Sequence, residues 1–221
     1  MPVRKIPLRT RSLSGIRATP KSPRGIAFES ALERDFIDLC SFDPSVSSIE
    51  EQPVRMPIPA LRGRNRSYVP DFLIQYTKAQ RPNLLCEIKY AEELRKKRDD
   101  FRQKFHAAEA FSREHGWNFK VITEQDIRGQ RLENIKFLLA FQGRTPDHDR
   151  EARILHCLEK EGALPAKIVL EKVWPDDEER TQGIPSLWRL AANHLVETDM
   201  DAPLSMNCTI HLARGGAQWQ A

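Results

Sequence analysis

Two carboxylates and an ammonium stand in this chain where apolar strands would exclude them. Asp71 opens the run "DFLIQY", and Glu87 and Lys89 flank Ile88 near the end of "NLLCEIKY". Strand side chains alternate faces, so Glu87 and Lys89 share one face with Leu85, while Cys86 and Ile88 point to the other. A central strand of an α/β sandwich buries both faces, and an uncompensated charge there costs several kcal/mol. Taken singly, Glu-x-Lys suits an exposed strand and Pro70-Asp71 suits a turn. Together they say more. If the two runs pair as a hairpin, Asp71 arrives where Glu87 emerges, and the three charges converge.

Such a cluster suits a divalent cation. Mg²⁺ takes hard oxygen ligands, commonly one or two carboxylates completed by waters and phosphate oxygens. Asp71, Glu87 and the backbone carbonyl of Ile88 offer three oxygens, and Mn²⁺ is the expected substitute ion. Lys89 would orient a nucleophilic water and steady charge on an attacked phosphate. A further acid from the preceding helix, Glu33, could hold a second ion or its water shell. Arg62, Arg64 and Arg66 of the loop "RGRNR" precede the Asp71 strand and could contact a nucleic-acid backbone.

The elements that must position these groups read as follows. Phe28, Leu32, Phe36 and Leu39 are spaced four, four and three apart, the apolar face of a first helix. "SSIEEQPVRMPIP", "RSYVPDFLIQY" and "LLCEIKY" follow as extended segments. A helix from about Ala91 carries Leu94, Phe101, Phe105, Ala108 and Phe111 on one face and ends at Gly116. "NFKVIT" is a further strand, and Thr123 with Asp126 resembles the cap of a helical region running through "LENIKFLLAF". The order predicts a mixed sheet covered by helices, an α/β sandwich over residues 26–145. "QGRTPDHD" reads as the linker. Residues 146–221 then offer three short helices and a β-hairpin, the pattern of a small winged-helix domain. Trp174 and Trp188 are expected in its core.

Composition narrows the partners. The chain has 221 residues, enough for one large domain or two small ones. No apolar run is long enough for a membrane span and no secretory h-region is present. Cys40, Cys86, Cys157 and Cys208 are far apart with no CxxC pair, so a reducing cytoplasm is expected. Residues 1–145 hold 27 Lys/Arg against 18 Asp/Glu, the balance of a polyanion binder. Residues 146–221 hold 8 against 13. Residues 1–25 contain seven Lys/Arg and no Asp/Glu, and read as a flexible basic arm. In the C-terminal part "PSLWRLAANHL" has a single arginine and "PDDEER" precedes it, which favours docking to a protein over reading DNA.

Pro70-Asp71…Glu87-Ile88-Lys89 resembles the PD-(D/E)xK nuclease superfamily and its restriction-endonuclease-like core. "FESALERDFIDLCSFDPSVSSIEEQP", "YVPDFLI" and "CEIKYAEEL", in that order, resemble more narrowly TnsA, the endonuclease family of heteromeric cut-and-paste transposases. The resemblance runs over roughly residues 20–142; beyond it only the winged-helix pattern is similar. It implies a helix acid at Glu33 of "LERDF", with Glu29 one turn earlier as its rival, strand acids at Asp71 and Glu87, and the lysine at Lys89. Gln52 of "EQP" falls on a family motif, implying support of the site or contact with DNA. The implied activity is Mg²⁺-dependent hydrolysis of one strand at the 5′ side of each transposon end, leaving a 5′-phosphate and a 3′-hydroxyl. A TnsB-like transposase would process the 3′ ends and a TnsC-like ATPase would regulate both, in a bacterial cytoplasm at the nucleoid. The competing readings are a repair nuclease or junction resolvase on the same core, or a DNA-binding scaffold without catalysis.

Overall fold

The structure, a computed structural model, describes residues 13–61, 64–77 and 81–213. Two compact units divide the chain, the first ending at Arg128 and the second starting at Gly129.

The first unit opens on a hairpin, β1 (Gly15–Thr19) and β2 (Ser22–Phe28), paired antiparallel. The expected flexible arm through residue 25 is therefore wrong from Gly15 onward; residues 1–12 lie outside the described residues. Polar as it is, the segment is pinned by a few contacts. Ile26 is fully buried, Arg17 pairs with Asp38 at 2.6 Å, and Lys21 donates to the Val46 carbonyl at 2.6 Å.

Helix α1 (Ala31–Phe42) starts at Ser30, whose hydroxyl accepts from the Glu33 amide, a standard way to satisfy an orphan first-turn donor. Phe28 belongs to β2 instead of this helix, and Leu32, Phe36, Ile37 and Cys40 supply the buried stripe. Strands β3 (Val46–Glu51), β4 (Met56–Leu61), β5 (Arg64–Tyr68), β6 (Phe72–Tyr76) and β7 (Leu84–Ile88) follow. Then come α2 (Ala91–Lys96), α3 (Arg98–Glu114), β8 (Asn118–Ile122) and α4 (Glu124–Ile127), the last closed by the Thr123–Asp126 capping box. The main sheet has the order β3-β6-β7-β8, with β7 and β8 parallel and the other neighbours antiparallel. It is mixed, as the element order predicts.

One element went unforeseen. β4 and β5 leave the main sheet as a separate hairpin between β3 and β6. Met56, Ile58 and Tyr68 on it bury against Leu73 and Leu85 on one face of the main sheet and against Ala108 of α3. The other face meets α1, where the Phe36 and Phe72 rings lie 5.7 Å apart. Hairpin and α3 together thus occupy the layer that a helix alone was expected to fill.

The second unit comprises α5 (Gln130–Gln142), α6 (His148–Glu161), β9 (Leu164–Pro165), α7 (Ala166–Val173), α8 (Asp177–Ala192), β10 (Val196–Thr198) and β11 (Thr209–Leu212). Its strands pair antiparallel in the order β10-β11-β9. Trp174 and Trp188 are in its core, 1% and 4% exposed.

The expected boundary at residue 145 is corrected, because α5 packs within the second unit. Phe137 meets Trp188 edge-on at 5.4 Å, and Asn134 donates to the carbonyls of Met200 and Ala202 at 3.0 and 2.7 Å. Arg131 grips Asp201 through two hydrogen bonds of 2.9 Å. The sequence pattern located α5 but carried no sign of its partner. The units join at Gly129, whose φ of 156° and ψ of −175° are open essentially to glycine alone. No helix among the described residues is long and apolar enough to cross a membrane.

Candidate active site

The register of β6 and β7 pairs Phe72 with Cys86, so one step further Asp71 stands across from Glu87. Opposed residues of an antiparallel pair share a face, which puts both carboxylates on the same side of the sheet. Glu87 is 4% exposed at the end of β7, and Lys89 follows two residues on.

The three side chains meet. Lys89 Nζ lies 3.1 Å from Asp71 Oδ2 and 2.9 Å from Glu87 Oε1, and donates to the Ile88 carbonyl at 2.9 Å. Asp71 Oδ2 also accepts from the Ile88 amide at 2.7 Å. One ammonium therefore sits on the three oxygens that the sequence suggests as cation ligands.

Glu33 is held differently. Its carboxylate accepts from the Glu29 amide at 2.7 Å and the Ser30 hydroxyl at 2.9 Å, closing the first turn of α1. It shares no hydrogen bond with Asp71 or Glu87, but it feels both Asp71 and Lys89 electrostatically. Among the described residues, no three His, Cys, Asp or Glu side chains gather closely enough to cage a metal ion by themselves. The third oxygen beside Asp71 and Glu87 is a backbone carbonyl.

The electrostatics are unbalanced. Burial and then the Asp71 charge push the Glu87 carboxyl up to about 7, against the pull of Lys89 and Tyr68. Burial and Asp71 likewise push Glu33 up to about 7. Burial alone would lower the Lys89 ammonium, but Asp71 and Glu87 outweigh it and hold it above its usual value. Its carboxylate neighbours thus favour the charged ammonium of Lys89. More negative charge is gathered here than one ammonium neutralises, and all the acceptors are hard oxygens, so the donor set fits a divalent cation.

Two neighbours complete the site. The Tyr68 hydroxyl donates to Glu87 Oε2 at 2.8 Å, from a ring 4% exposed. Burial and the Glu87 charge raise its phenol well above its usual range. Sequence reasoning missed Tyr68. The available signal was its position three residues before Asp71 and two before Pro70. Gln52 ends β3 with φ at 47°, and its amide donates to the Asp71 carbonyl at 2.8 Å. Its side chain is 8% exposed, yet Oε1 has no hydrogen-bond partner among the described residues. A left-handed non-glycine backbone and a buried orphan acceptor are both costly features that concentrate at functional sites.

Of the three loop arginines, Arg62 and the side chain of Arg64 lie outside the described residues. Arg66 is half-buried on β5, two residues before Tyr68 and hence on the same strand face.

Against known families, residues 43–124 match the model of the TnsA-like endonuclease N-terminal domain. No curated protein matches the chain. The matched segment runs from the end of α1 to the first residue of α4 and contains Gln52, Tyr68, Asp71, Glu87 and Lys89; Glu33 precedes it.

Proposed function

We propose, starting from the TnsA-like endonuclease domain at residues 43–124, that the chain is the endonuclease subunit of a cut-and-paste transposase. It hydrolyses one DNA strand at the 5′ side of each transposon end, while a TnsB-like transposase processes the 3′ ends under a TnsC-like ATPase. The observation that carries this reading is the convergence of Asp71, Glu87 and the Ile88 carbonyl on Lys89, inside the matched segment.

Asp71, Glu87 and the Ile88 carbonyl would hold Mg²⁺ or Mn²⁺, with Glu33 placed to serve a second ion or its waters. The ion, when bound, supplies charge neutralisation and Lewis-acid polarisation of the phosphate. The chain's own groups do the rest. The Lys89 ammonium offers hydrogen bonds to the attacked phosphate, where negative charge grows as water adds and the 3′ oxygen leaves. The Ile88 amide fixes Asp71 Oδ2, and Tyr68 fixes Glu87 Oε2, so both carboxylates are oriented before substrate arrives. Gln52 braces Asp71 through the backbone and keeps a free acceptor for a water or a nucleotide donor. Arg62, Arg64 and Arg66 would contact the DNA backbone.

The second unit we read as a winged helix preceded by α5, supported by the order from α6 of helix, short strand, two helices and hairpin closing a three-stranded sheet. The first turn of α8 carries Asp177, Glu178 and Glu179, all exposed. An acidic start to the helix that would enter a groove favours a protein partner over DNA.

The test is a supercoiled donor plasmid incubated with this protein, its partner subunits and Mg²⁺. Asp71→Ala and Lys89→Ala lower 5′-end cleavage about 10³-fold; cleavage near the wild-type rate in either variant refutes the site.

A further inference from the structure

Beyond the reaction centre, the segment α2–α3 gathers cations of two kinds. Lys96 and Lys97 are matched by Glu92 and Glu93 one turn earlier, at 2.6 and 2.9 Å. Arg95, Arg98 and Arg102 are exposed and have neither side-chain hydrogen bond nor ion pair among the described residues. These three arginines line one groove of about 950 Å³. Phe101 and Phe105, stacked at 5.2 Å, form part of its wall, and Phe105 is braced against Phe119 at 5.7 Å. The carboxylates of Asp99 and Glu109 also reach the groove, leaving it cationic by one charge before His106 is counted.

In sequence, the helices that line the groove follow directly on the reaction centre. Lys89 is followed by Tyr90 and then α2, whose six residues rise about 9 Å at roughly 1.5 Å each. A duplex strand carries a phosphate about every 3.4 Å of axis, so that rise corresponds to roughly two or three phosphates. Arg98 and Arg102, one turn apart, share a side of α3, Arg95 at the end of α2 lines the same groove, and guanidinium forks match phosphate oxygens in pairs. The unit that holds them carries 24 Lys/Arg against 17 Asp/Glu over residues 1–128.

We propose that the α2–α3 groove binds the phosphodiester backbone of DNA flanking the cut, with Arg95, Arg98 and Arg102 on its phosphates. The proposal rests on the endonuclease reading for its substrate, but its test is separate. Full-length protein in EDTA is titrated with fluorescein-labelled duplex DNA over a range of salt. Removing three phosphate contacts with Arg95→Gln/Arg98→Gln/Arg102→Gln lowers affinity at least tenfold at low salt. It also flattens the slope of log K against log salt by about 2–3, at roughly 0.9 per phosphate. The single variant Arg98→Gln, for which folding is not at issue, flattens it by about 1. Unchanged affinity and slope in the triple variant overturn the proposal. So does a triple variant that keeps DNA binding but loses capture of the partner transposase, since the groove then receives protein. A protein that binds DNA through these arginines but never cleaves it would refute the endonuclease reading and leave the groove standing.

Discussion

Each unit of this protein buries carboxylates beside a cation, and the two arrangements differ in arithmetic. In the second unit Glu151, 1% exposed on α6, meets Arg189 of α8 at 2.6 Å. Arg189 Nε also donates to the Arg144 carbonyl at 2.9 Å, so one acid faces one guanidinium. In the first unit Asp71 and Glu87 share a single ammonium while Glu33 stands within electrostatic reach. The balanced pair joins helices. In the unbalanced set, burial and then the Asp71 charge raise two carboxyls to about 7, and a ligand can bring the positive charge it lacks. A buried ion pair alone is thus a poor sign of function; surplus charge of one sign is a better one.

That contrast can be broken by experiment. The largest effect is expected from Asp71→Ala, which lowers cleavage about 10³-fold, the scale of losing a preorganised transition-state contact. It leaves thermal stability near wild type, because removing one of two crowded carboxylates relieves the other. Arg189→Ala behaves in the opposite way. It strands Glu151 and costs about 3–5 kcal/mol in denaturant unfolding of the second unit. A stable Arg189→Ala would put the two clusters in one class.

pH separates them further. Glu87 titrates at about 7 when folded against an ordinary 4.5 when unfolded, so between these values the unfolded chain releases its proton first. Stability from this group is therefore whole below pH 4.5 and is lost as pH rises through 7. In EDTA, Glu87→Gln should raise the melting temperature at pH 8 by roughly 5 °C and change it little at pH 5. Added Mg²⁺ should raise the wild-type melting temperature more at pH 8 than at pH 6, and less in Glu87→Gln. A pH-independent difference would remove the argument for surplus charge. The smallest effect concerns Gln52. Gln52→Gly relieves the backbone at φ 47° and stabilises by about 1 kcal/mol, while cleavage falls through loss of the carboxamide. Cleavage unchanged would leave Gln52 a structural residue.

The positions of Asp71, Glu87 and Lys89 were legible because strand alternation and a reversal of direction are local rules. Two runs separated by a short loop have few other ways to pair, and the pairing brings the charges together. Tyr68 was illegible since its role depends on β4 and β5 folding back as their own hairpin, a packing outcome with no periodicity to announce it. Glu33 was placed on the right helix, but its hydrogen bonds serve the helix start, a duty that "SALE" spells as clearly as any catalytic one. The N-terminal hairpin was missed because composition weighs its charge and prolines, whereas Asp38 and the Val46 carbonyl supply the partners that order it.

The placement of α5 has a consequence for how the chain can be taken apart. The change from basic to acidic composition falls near residue 145, but the change of packing partner falls at Gly129. A fragment ended at 145 would keep Leu132, Ile135 and Leu138 on a helix severed from what buries them, a recipe for aggregation. Ended at Arg128, it would leave α5 with the unit that buries it. Grafting, exchange between relatives and separate expression of the units should therefore follow the glycine, because the seam along which this molecule can be traded is set by contacts and not by charge.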